Sequence, residues 1–182
     1  MVTIIHASHR HSYSWQVAKA ICDSLKKLNV TVNIIDLVKE DIRYCCGEQV
    51  CQNNDCIYKD DFTSHLYGPL LNSKCVYIVS PTYFDMPPAR LKNMMDRSNA
   101  ILPHIDENQR RYFGAWVCGE TEDSSIDSNL KLLINFAEIC GMQPVNDLMI
   151  KEISEQEEPC KVSLDKTLKI AELIKDLHYS NE

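Results

Sequence analysis

A chain of 182 residues is long enough to bury a sizeable core as one domain without cross-links. Its formal net charge of -7 argues against nucleic acid or an anionic membrane surface as the main partner. The chain shows neither the pattern of a secretory leader nor an apolar run of about 18 residues, so we expect a cytoplasmic protein that acts on small molecules or other proteins.

Short apolar runs alternate along the chain with segments of helical period, which predicts a parallel α/β sheet covered by helices on both faces. The predicted strands cover residues 2–7, 31–37, 75–80, 112–118 and 144–150. The predicted helices run from about Ser14 to Leu28, over 60–72, over 87–97, from Ile126 to Cys140 and over about 165–177. Gly68 and Pro69 predict a kink or split in the second helix, and the third helix has proline in its first turn. Gly141 is predicted to cap the fourth helix. We expect a single domain over residues 1–182, in which residues 38–59 form one long, cysteine-bearing loop.

The loop after the first predicted strand reads ASHRHSYSW and is rich in groups that bind phosphate. Ligands of open parallel sheets bind at the carboxyl ends of the strands, near this position. Ser8, Ser12 and Ser14 offer hydroxyl groups, Arg10 can pair with phosphate oxygens, and the next helix begins with free backbone N–H groups. None of the five glycines lies in this loop, so neither a G-x-G-x-x-G motif nor a P-loop can be written. The loop therefore predicts a site for one dianion.

Two other interpretations of this loop stay open. Ser12 or Ser14 could serve only to cap the helix. His6, His9 and His11 could bind a metal ion, but the loop supplies no carboxylate or thiol at ligand spacing, and we predict no metal here.

The segment PTYFDMPP, residues 81–88, is a turn-rich loop between a buried strand and a helix that starts with proline. Its backbone amides and aromatic rings are available to a flat heterocycle at the end of the strand. Packing of Tyr83 and Phe84 against the following helix is the alternative. In that helix, we expect Lys92, Asp96 and Arg97 to form salt bridges or a subunit contact.

The serine loop (residues 8–14) and the segment SPTYFDMPPARLKNMMDR (residues 80–97) resemble the flavodoxin-like NADPH-dependent FMN reductases and the related iron-sulfur flavoproteins. The resemblance covers about residues 1–120. It implies a flavodoxin-like three-layer sandwich with a five-stranded parallel sheet in the order 2-1-3-4-5. It also implies FMN as the cofactor, NAD(P)H as the electron donor, and a homodimer or homotetramer in which a neighbouring subunit completes the flavin site.

The resemblance also assigns residues to the flavin. The FMN phosphate would be held by Ser8, Arg10, Ser12, Tyr13 and Ser14. The isoalloxazine ring would lie against Pro81, Thr82, Tyr83, Phe84, Asp85 and Met86. The other side of the ring would be closed by Gly119, Glu120 and Thr121.

We therefore expect an FMN-dependent oxidoreductase that passes electrons from NAD(P)H to a small acceptor such as a quinone or a metal complex. One alternative is a flavoprotein that carries electrons between protein partners. Another is a regulatory protein that has lost the cofactor. No residue is identified as a dedicated acid or base for one substrate, so the sequence does not name the acceptor.

Four of the nine cysteines fall within twelve residues, at Cys45, Cys46, Cys51 and Cys56. A reducing compartment argues against a disulfide framework, and the lack of a C-x2-C pair argues against zinc. The iron-sulfur relatives carry C-x2-C-x2-C and a fourth cysteine about five residues on. Here Glu48 stands at the second position, and Cys46 could complete the set only if the backbone turns sharply at Gly47. We predict free or loosely redox-paired thiols and no intact cluster.

Overall fold

The computed structural model describes residues 1–48, 51, 56–119, 123–153 and 163–179. Five parallel strands form one sheet in the order β2-β1-β3-β4-β5, which confirms the predicted topology. The strands are β1 (Val2–His6), β2 (Val32–Asp36), β3 (Cys75–Pro81), β4 (Tyr112–Gly119) and β5 (Gln143–Ile153).

Five α-helices connect or follow these strands: α1 (Tyr13–Lys27), α2 (Tyr67–Asn72), α3 (Ala89–Arg97), α4 (Asp123–Ile139) and α5 (Leu164–Tyr179). A π-helical turn, Phe62–Leu66, leads directly into α2, so the predicted second helix is divided, but one residue ahead of Gly68. Pro88 occupies the N-cap of α3 and therefore precedes the first turn, in which the sequence had placed a proline.

The sheet separates two layers of helices because its side chains alternate between the two faces. On β3, Tyr77 and Val79 join the apolar cluster that contains the buried side chains of α1 and α5. Val76 and Ile78 join the opposite cluster, to which α2, α3 and α4 contribute. The result is the predicted three-layer sandwich, with its buried strands between helices.

The end of α4 shows how a predicted cap forms. Gly141 has a φ of 67°, and its N–H donates to the carbonyl of Glu138 at 3.0 Å, while the N–H of Met142 donates to the carbonyl of Ala137 at 2.8 Å. These two bonds form a Schellman motif, which confirms Gly141 as the stop signal of the helix. Within the described residues, no helix combines the length and apolar character that a membrane-spanning segment requires.

Candidate functional site

Loops at the carboxyl ends of β1, β3 and β4 meet around a cavity of about 510 Å³, a volume typical of small-molecule sites. Twelve residues line it, and all but Cys118 were predicted from the sequence. The predicted residues in the lining are Ser8, Arg10, Ser12, Tyr13, Ser14, Pro81, Thr82, Tyr83, Phe84, Asp85 and Gly119. The structure therefore brings together the serine loop and the loop after β3, which are about 70 residues apart in sequence.

The three remaining predicted residues do not line the described cavity. Met86 is more than half exposed and closes the turn beside the cavity through its backbone. Glu120 and Thr121 lie outside the described residues. Cys118 was not predicted because it belongs to the continuous apolar run of β4. The sequence does not show which residues at the end of such a run line a cavity and which are packed in the core.

Residues 83–86 form a tight hairpin turn that sets the shape of the cavity mouth. The N–H of Tyr83 donates to the carbonyl of Met86 at 2.8 Å, and the reverse bond is 3.0 Å. Phe84 and Asp85 both have positive φ, 49° and 59°, which is the type I′ geometry. The ring of Phe84 is completely exposed, so it does not pack against α3, whereas Asn129 of α4 holds the turn by donating to the carbonyl of Asp85 at 3.0 Å.

Two contacts join the loops that surround the cavity. The hydroxyl oxygens of Ser8 and Tyr83 lie 3.0 Å apart, and Ser8 also accepts a bond from the backbone N–H of Arg10 at 3.1 Å. At the end of β4, a Cβ on Gly119 would lie 2.8 Å from the hydroxyl oxygen of Thr82, too close for any side chain. Glycine at this position therefore lets the ends of β3 and β4 approach each other.

The N-terminus of α1 lies at the cavity, because Ser12, Tyr13 and Ser14 belong to the lining. Ser12 is the N-cap residue, yet its side chain makes no capping hydrogen bond, and the first turn contains no acidic residue. The structure thus does not support the interpretation of Ser12 as a simple cap. Backbone N–H groups and the positive end of the helix dipole favour an anion here.

A buried network of histidine and aspartate lies beneath the serine loop. The Nδ1 atom of His6 is 3.0 Å from Asp36 Oδ1, and its Nε2 atom is 3.2 Å from the hydroxyl oxygen of Ser14. His11 Nε2 is 2.5 Å from the other oxygen of Asp36. The carboxylate that the loop itself lacks is therefore supplied by β2, and hydrogen bonds account for these contacts.

The environment fixes the charge states of this network. Burial lowers the pKa of His6 below its ordinary value, outweighing the opposing effect of Asp36. Burial would raise the pKa of Asp36, but hydrogen bonds from His6 and His11 outweigh it and hold that pKa low. This pair could have been predicted from the sequence, because His6 and Asp36 are the last residues of two neighbouring strands and lie opposite each other in the sheet.

One face of α3 holds the backbone of the cysteine loop, residues 38–59. Arg90 donates to the carbonyls of Leu37 and Glu40, Asn93 donates to that of Ile42, and Arg97 donates to that of Arg43, at 3.3, 3.2, 2.8 and 2.8 Å. The three donors are spaced three and four residues apart, which places them on one side of the helix. This helix therefore holds residues 37–43, at the start of the loop, in place.

Arg97 is also the centre of a buried ion pair. Its side chain is 1% exposed, and Nη1 lies 2.7 Å from a carboxylate oxygen of Asp60, whose side chain is 9% exposed. The guanidinium group lies between the rings of Tyr58 and Phe62, 5.1 and 4.9 Å from their centroids. The predicted salt bridge of Arg97 is confirmed, and Lys92 pairs with Asp96 on the exposed side of the same helix.

The four cysteines of the loop converge on one small cavity. Gly47 has a φ of 74°, so the backbone makes the sharp turn that brings Cys46 to the cavity with the other three. Arg97 donates to the sulfur of Cys56 at 3.2 Å, and Asn99 donates to that of Cys51 at 3.5 Å. The volume of this partly open cavity is only about 30 Å³, room for about two water molecules.

The spacing of the described thiols does not suit a zinc ion. Bonds of about 2.3 Å in a tetrahedron place zinc-bound sulfur atoms about 3.8 Å apart. No three cysteine sulfurs among the described residues lie within 4.8 Å of one another. The described residues therefore contain no set of three thiols at the spacing that a zinc ion requires.

A second cavity, of about 540 Å³, adjoins the first. It lies between the cysteine loop and α3 and is lined by charged residues, among them Glu40, Arg43 and Arg90. The ring of His9 forms part of its wall and stacks on Tyr83, with the ring centroids 5.3 Å apart. Since Tyr83 lines the first cavity, this stacked pair separates the two spaces.

Comparisons with known proteins agree with this architecture. The model of a protein family described as NADPH-dependent FMN reductase matches residues 1–155. An iron-sulfur flavoprotein of Archaeoglobus fulgidus is 28% identical over 128 residues, which are 70% of this chain and 63% of that protein, so the chain spans less than two thirds of its relative.

Two solved structures share the fold. An NAD(P)H:quinone oxidoreductase from Methanothermobacter marburgensis aligns with a TM-score of 0.69 and 14% identity over 100% of this chain and 97% of its own. A flavodoxin, WrbA-like protein from Agrobacterium tumefaciens aligns with a TM-score of 0.64 and 15% identity over 96% of both chains. At these identities the likeness concerns the fold alone.

Proposed function

The chain belongs to the NADPH-dependent FMN reductase family, and from this premise we propose that it passes electrons from NAD(P)H through FMN to a small acceptor of the quinone or metal-complex kind. The family identifies a flavin oxidoreductase that uses FMN with NAD(P)H as the donor. The observation that supports the proposed site is the convergence of the serine loop and the loop after β3 on one cavity at the carboxyl end of the sheet.

The donor set in this cavity fits FMN. Ser8, Arg10, Ser12, Ser14 and the N-terminus of α1 would hold the phosphate, and one such site suits a mononucleotide better than a pyrophosphate. When bound, FMN supplies the hydride-accepting ring.

The turn at residues 83–86 would then border the ring. Tyr83 presents a half-buried aromatic face, held in place by its contact with Ser8, and the fully exposed ring of Phe84 stands at the mouth of the cavity. Tyr83 would position the flavin ring, and Phe84 would stand at its open edge. The adjoining cavity beyond the stack of His9 and Tyr83 offers room for a polar donor or acceptor next to the flavin.

The identity of the bound flavin tests the proposal directly. Denaturation of the purified protein should release FMN, identified by its mass, and the release of FAD or of no flavin would overturn the assignment. The holoprotein should then oxidise NAD(P)H continuously when a quinone is added. Reduction of the bound flavin without turnover would favour an electron carrier.

A second candidate function is an electron carrier with an iron-sulfur centre beside the flavin. It is favoured by the convergence of four thiols, two of which accept hydrogen bonds from Arg97 and Asn99, because such bonds help to set the potential of a cluster. The set of four thiols fits a cluster, but the partly open cavity of about 30 Å³ is smaller than one, so residues 45–48 would have to move outward to admit it.

Iron and sulfide analysis after anaerobic purification separates the two candidates. Negligible iron supports the oxidoreductase with free thiols, whereas about four irons and four sulfides per chain would establish the second candidate. Cys56→Ser should then abolish iron binding, while Cys22→Ser, in the buried face of α1, should leave it unchanged.

We also propose a homodimer or a homotetramer. The support is the fully exposed ring of Phe84 at the mouth of a shallow site, which a second subunit would cover. Light scattering should give at least twice the mass of one chain, and a fully active monomer would exclude the proposal. The cytoplasmic location and the single-domain organisation stay predictions.

A further inference from the structure

Ser14 has two neighbours that compete for its hydroxyl proton. It lines the flavin cavity, where its oxygen would face the phosphate, and its oxygen lies 3.2 Å from Nε2 of His6. The inference below rests on the proposed function, because it concerns how this serine meets the phosphate of FMN.

The protons of the flavin-free protein can be assigned from the partners of each atom. Asp36 is ionised and only accepts hydrogen bonds, so Nδ1 of His6, at 3.0 Å, must carry a proton and donate it to this carboxylate. In the flavin-free protein His6 is neutral, because burial lowers its pKa, and its Nε2 atom therefore has a lone pair. The hydroxyl group of Ser14 consequently donates to His6 and turns its lone pairs toward the cavity.

Binding of a phosphate dianion would reverse the direction of the hydrogen bond between Ser14 and His6. Phosphate oxygens only accept hydrogen bonds when fully ionised, so Ser14 has to donate its proton to the ligand. If His6 stayed neutral, its Nε2 atom would then face an oxygen that no longer donates to it. His6 is completely buried, so water cannot replace the missing donor, and an unpaired buried nitrogen is unfavourable.

We propose that FMN binds together with one proton, which His6 takes up at Nε2. The imidazolium then donates to Asp36 through Nδ1 and to Ser14 through Nε2, and Ser14 donates to the phosphate. The proton comes from solvent and forms the new N–H bond at Nε2, no other covalent bond changes, and the added positive charge lies on the ring that contacts Ser14, next to the bound dianion. His6 is thus a positioning residue that fixes the direction of the hydrogen bond of Ser14.

The other charged groups around His6 are compatible with this change. Asp36 contacts it from β2 and is also bonded by His11 of the serine loop, at 2.5 Å, and by Lys39, at 3.8 Å. The ring of Trp15 on α1 packs against the ring of His6, with the two centroids 5.1 Å apart. His6, His11 and Lys39 thus share the one carboxylate of Asp36. Binding of a dianion adds negative charge nearby, which stabilises the protonated form of His6.

Calorimetric titration of the full chain, freed of flavin, with FMN at about pH 8 tests this inference, since the second phosphate pKa is about 6 and free FMN is then a dianion. In two buffers of different ionisation enthalpy, the heats should differ by the uptake of close to one proton. Riboflavin, which lacks the phosphate, should bind without uptake. As pH rises between the free and bound pKa values of His6, the dissociation constant for FMN should increase about tenfold per unit.

Variants identify the group that takes up the proton. His6→Gln and Ser14→Ala should each abolish the uptake, and the second keeps the result interpretable if the first does not fold. His11→Gln and the exposed His104→Gln should retain it. Failure to bind FMN at all would refute the proposed function together with this inference. Tight FMN binding without uptake, or uptake that survives Ser14→Ala, would refute the inference alone.

Discussion

The serine loop and the cysteine loop follow neighbouring strands of one sheet but are organised in different ways. The serine loop is seven residues long and is held largely by β1, β2 and α1, with further contacts from Ser8 and His9 to Tyr83. The cysteine loop is three times as long and is held through its backbone by Arg90, Asn93 and Arg97 of α3, about 50 residues away in sequence. The ligand-binding groups of the short serine loop could therefore be predicted from the local sequence. The geometry of the long cysteine loop could not, because it depends on a helix that is distant in sequence.

The largest expected effect comes from removing the anchor of the cysteine loop. Arg97→Leu leaves Asp60 charged and buried, which should lower the free energy of unfolding by about 3–5 kcal/mol in urea denaturation. The control is Lys92→Ala, which removes an exposed ion pair from the same helix and should cost less than about 1 kcal/mol. Equal losses in the two variants would show that α3 does not anchor the loop as described.

Loss of charge from the serine loop should weaken binding and leave the fold intact. Arg10 is exposed and lines the flavin cavity, so Arg10→Ala should reduce FMN affinity by about 1.5–3 kcal/mol, the value of a charge-assisted hydrogen bond. Fluorescence titration of the flavin-free protein measures this effect. Arg110→Ala, an exposed arginine outside the cavity, is the matched control, and unchanged affinity for Arg10→Ala would mean that the phosphate binds elsewhere.

Acid should affect the cysteine loop through Asp60. Burial would raise the pKa of this carboxyl, but hydrogen bonds from Arg97 and from the backbone N–H of Arg43 outweigh it, so the folded pKa lies below the ordinary value. Its contribution to stability is therefore complete above the unfolded pKa of about 3.9 and disappears as the pH falls through the folded pKa.

The loss can be measured as the urea midpoint as the pH is lowered from about 5 through the unfolded pKa and below it. Asp60→Asn should flatten this dependence, whereas Asp96→Asn, at the exposed pair, should not. An acid transition that is identical in wild type and Asp60→Asn would assign the effect to other carboxyls.

The smallest stability effect is expected at Ser12. A capping serine usually contributes about 1 kcal/mol, but Ser12 makes no capping bond, so Ser12→Ala should change the free energy of unfolding by less than about 0.5 kcal/mol. FMN affinity should nevertheless fall by about 1 kcal/mol, the net value of one hydrogen bond. A clear loss of stability with normal FMN binding would restore the interpretation of Ser12 as a cap.

The fold could be predicted because buried parallel strands appear in sequence as continuous apolar runs, each followed by a helical period. The cavity lining could be predicted because its residues cluster in two short segments with recognisable chemistry. Where Glu120 and Thr121 lie stays a prediction, since both fall outside the described residues.

Other features required contacts that no single segment contains. The bond between His6 and Asp36 joins residues 30 positions apart, and only the pairing of β1 with β2 brings them together. The convergence of the cysteines depends on the turn at Gly47 and on Arg97, which the spacing of the cysteines does not reveal. The contacts of α3 with residues 37–43, and of Arg97 and Asn99 with Cys56 and Cys51, therefore could not be predicted from the spacing of the cysteines.

The turn at Phe84 and Asp85 lowers the thermal stability of this protein. Type I′ corners are most favourable with Asn-Gly, and left-handed backbone costs a residue such as Phe84 about 1–2 kcal/mol, whereas aspartate tolerates it better. Burial does not offset this cost, because the ring of Phe84 is fully exposed. The fold thus gives up stability at the rim of its flavin cavity, and an Asn-Gly corner would raise the melting temperature while removing the aromatic ring from the rim.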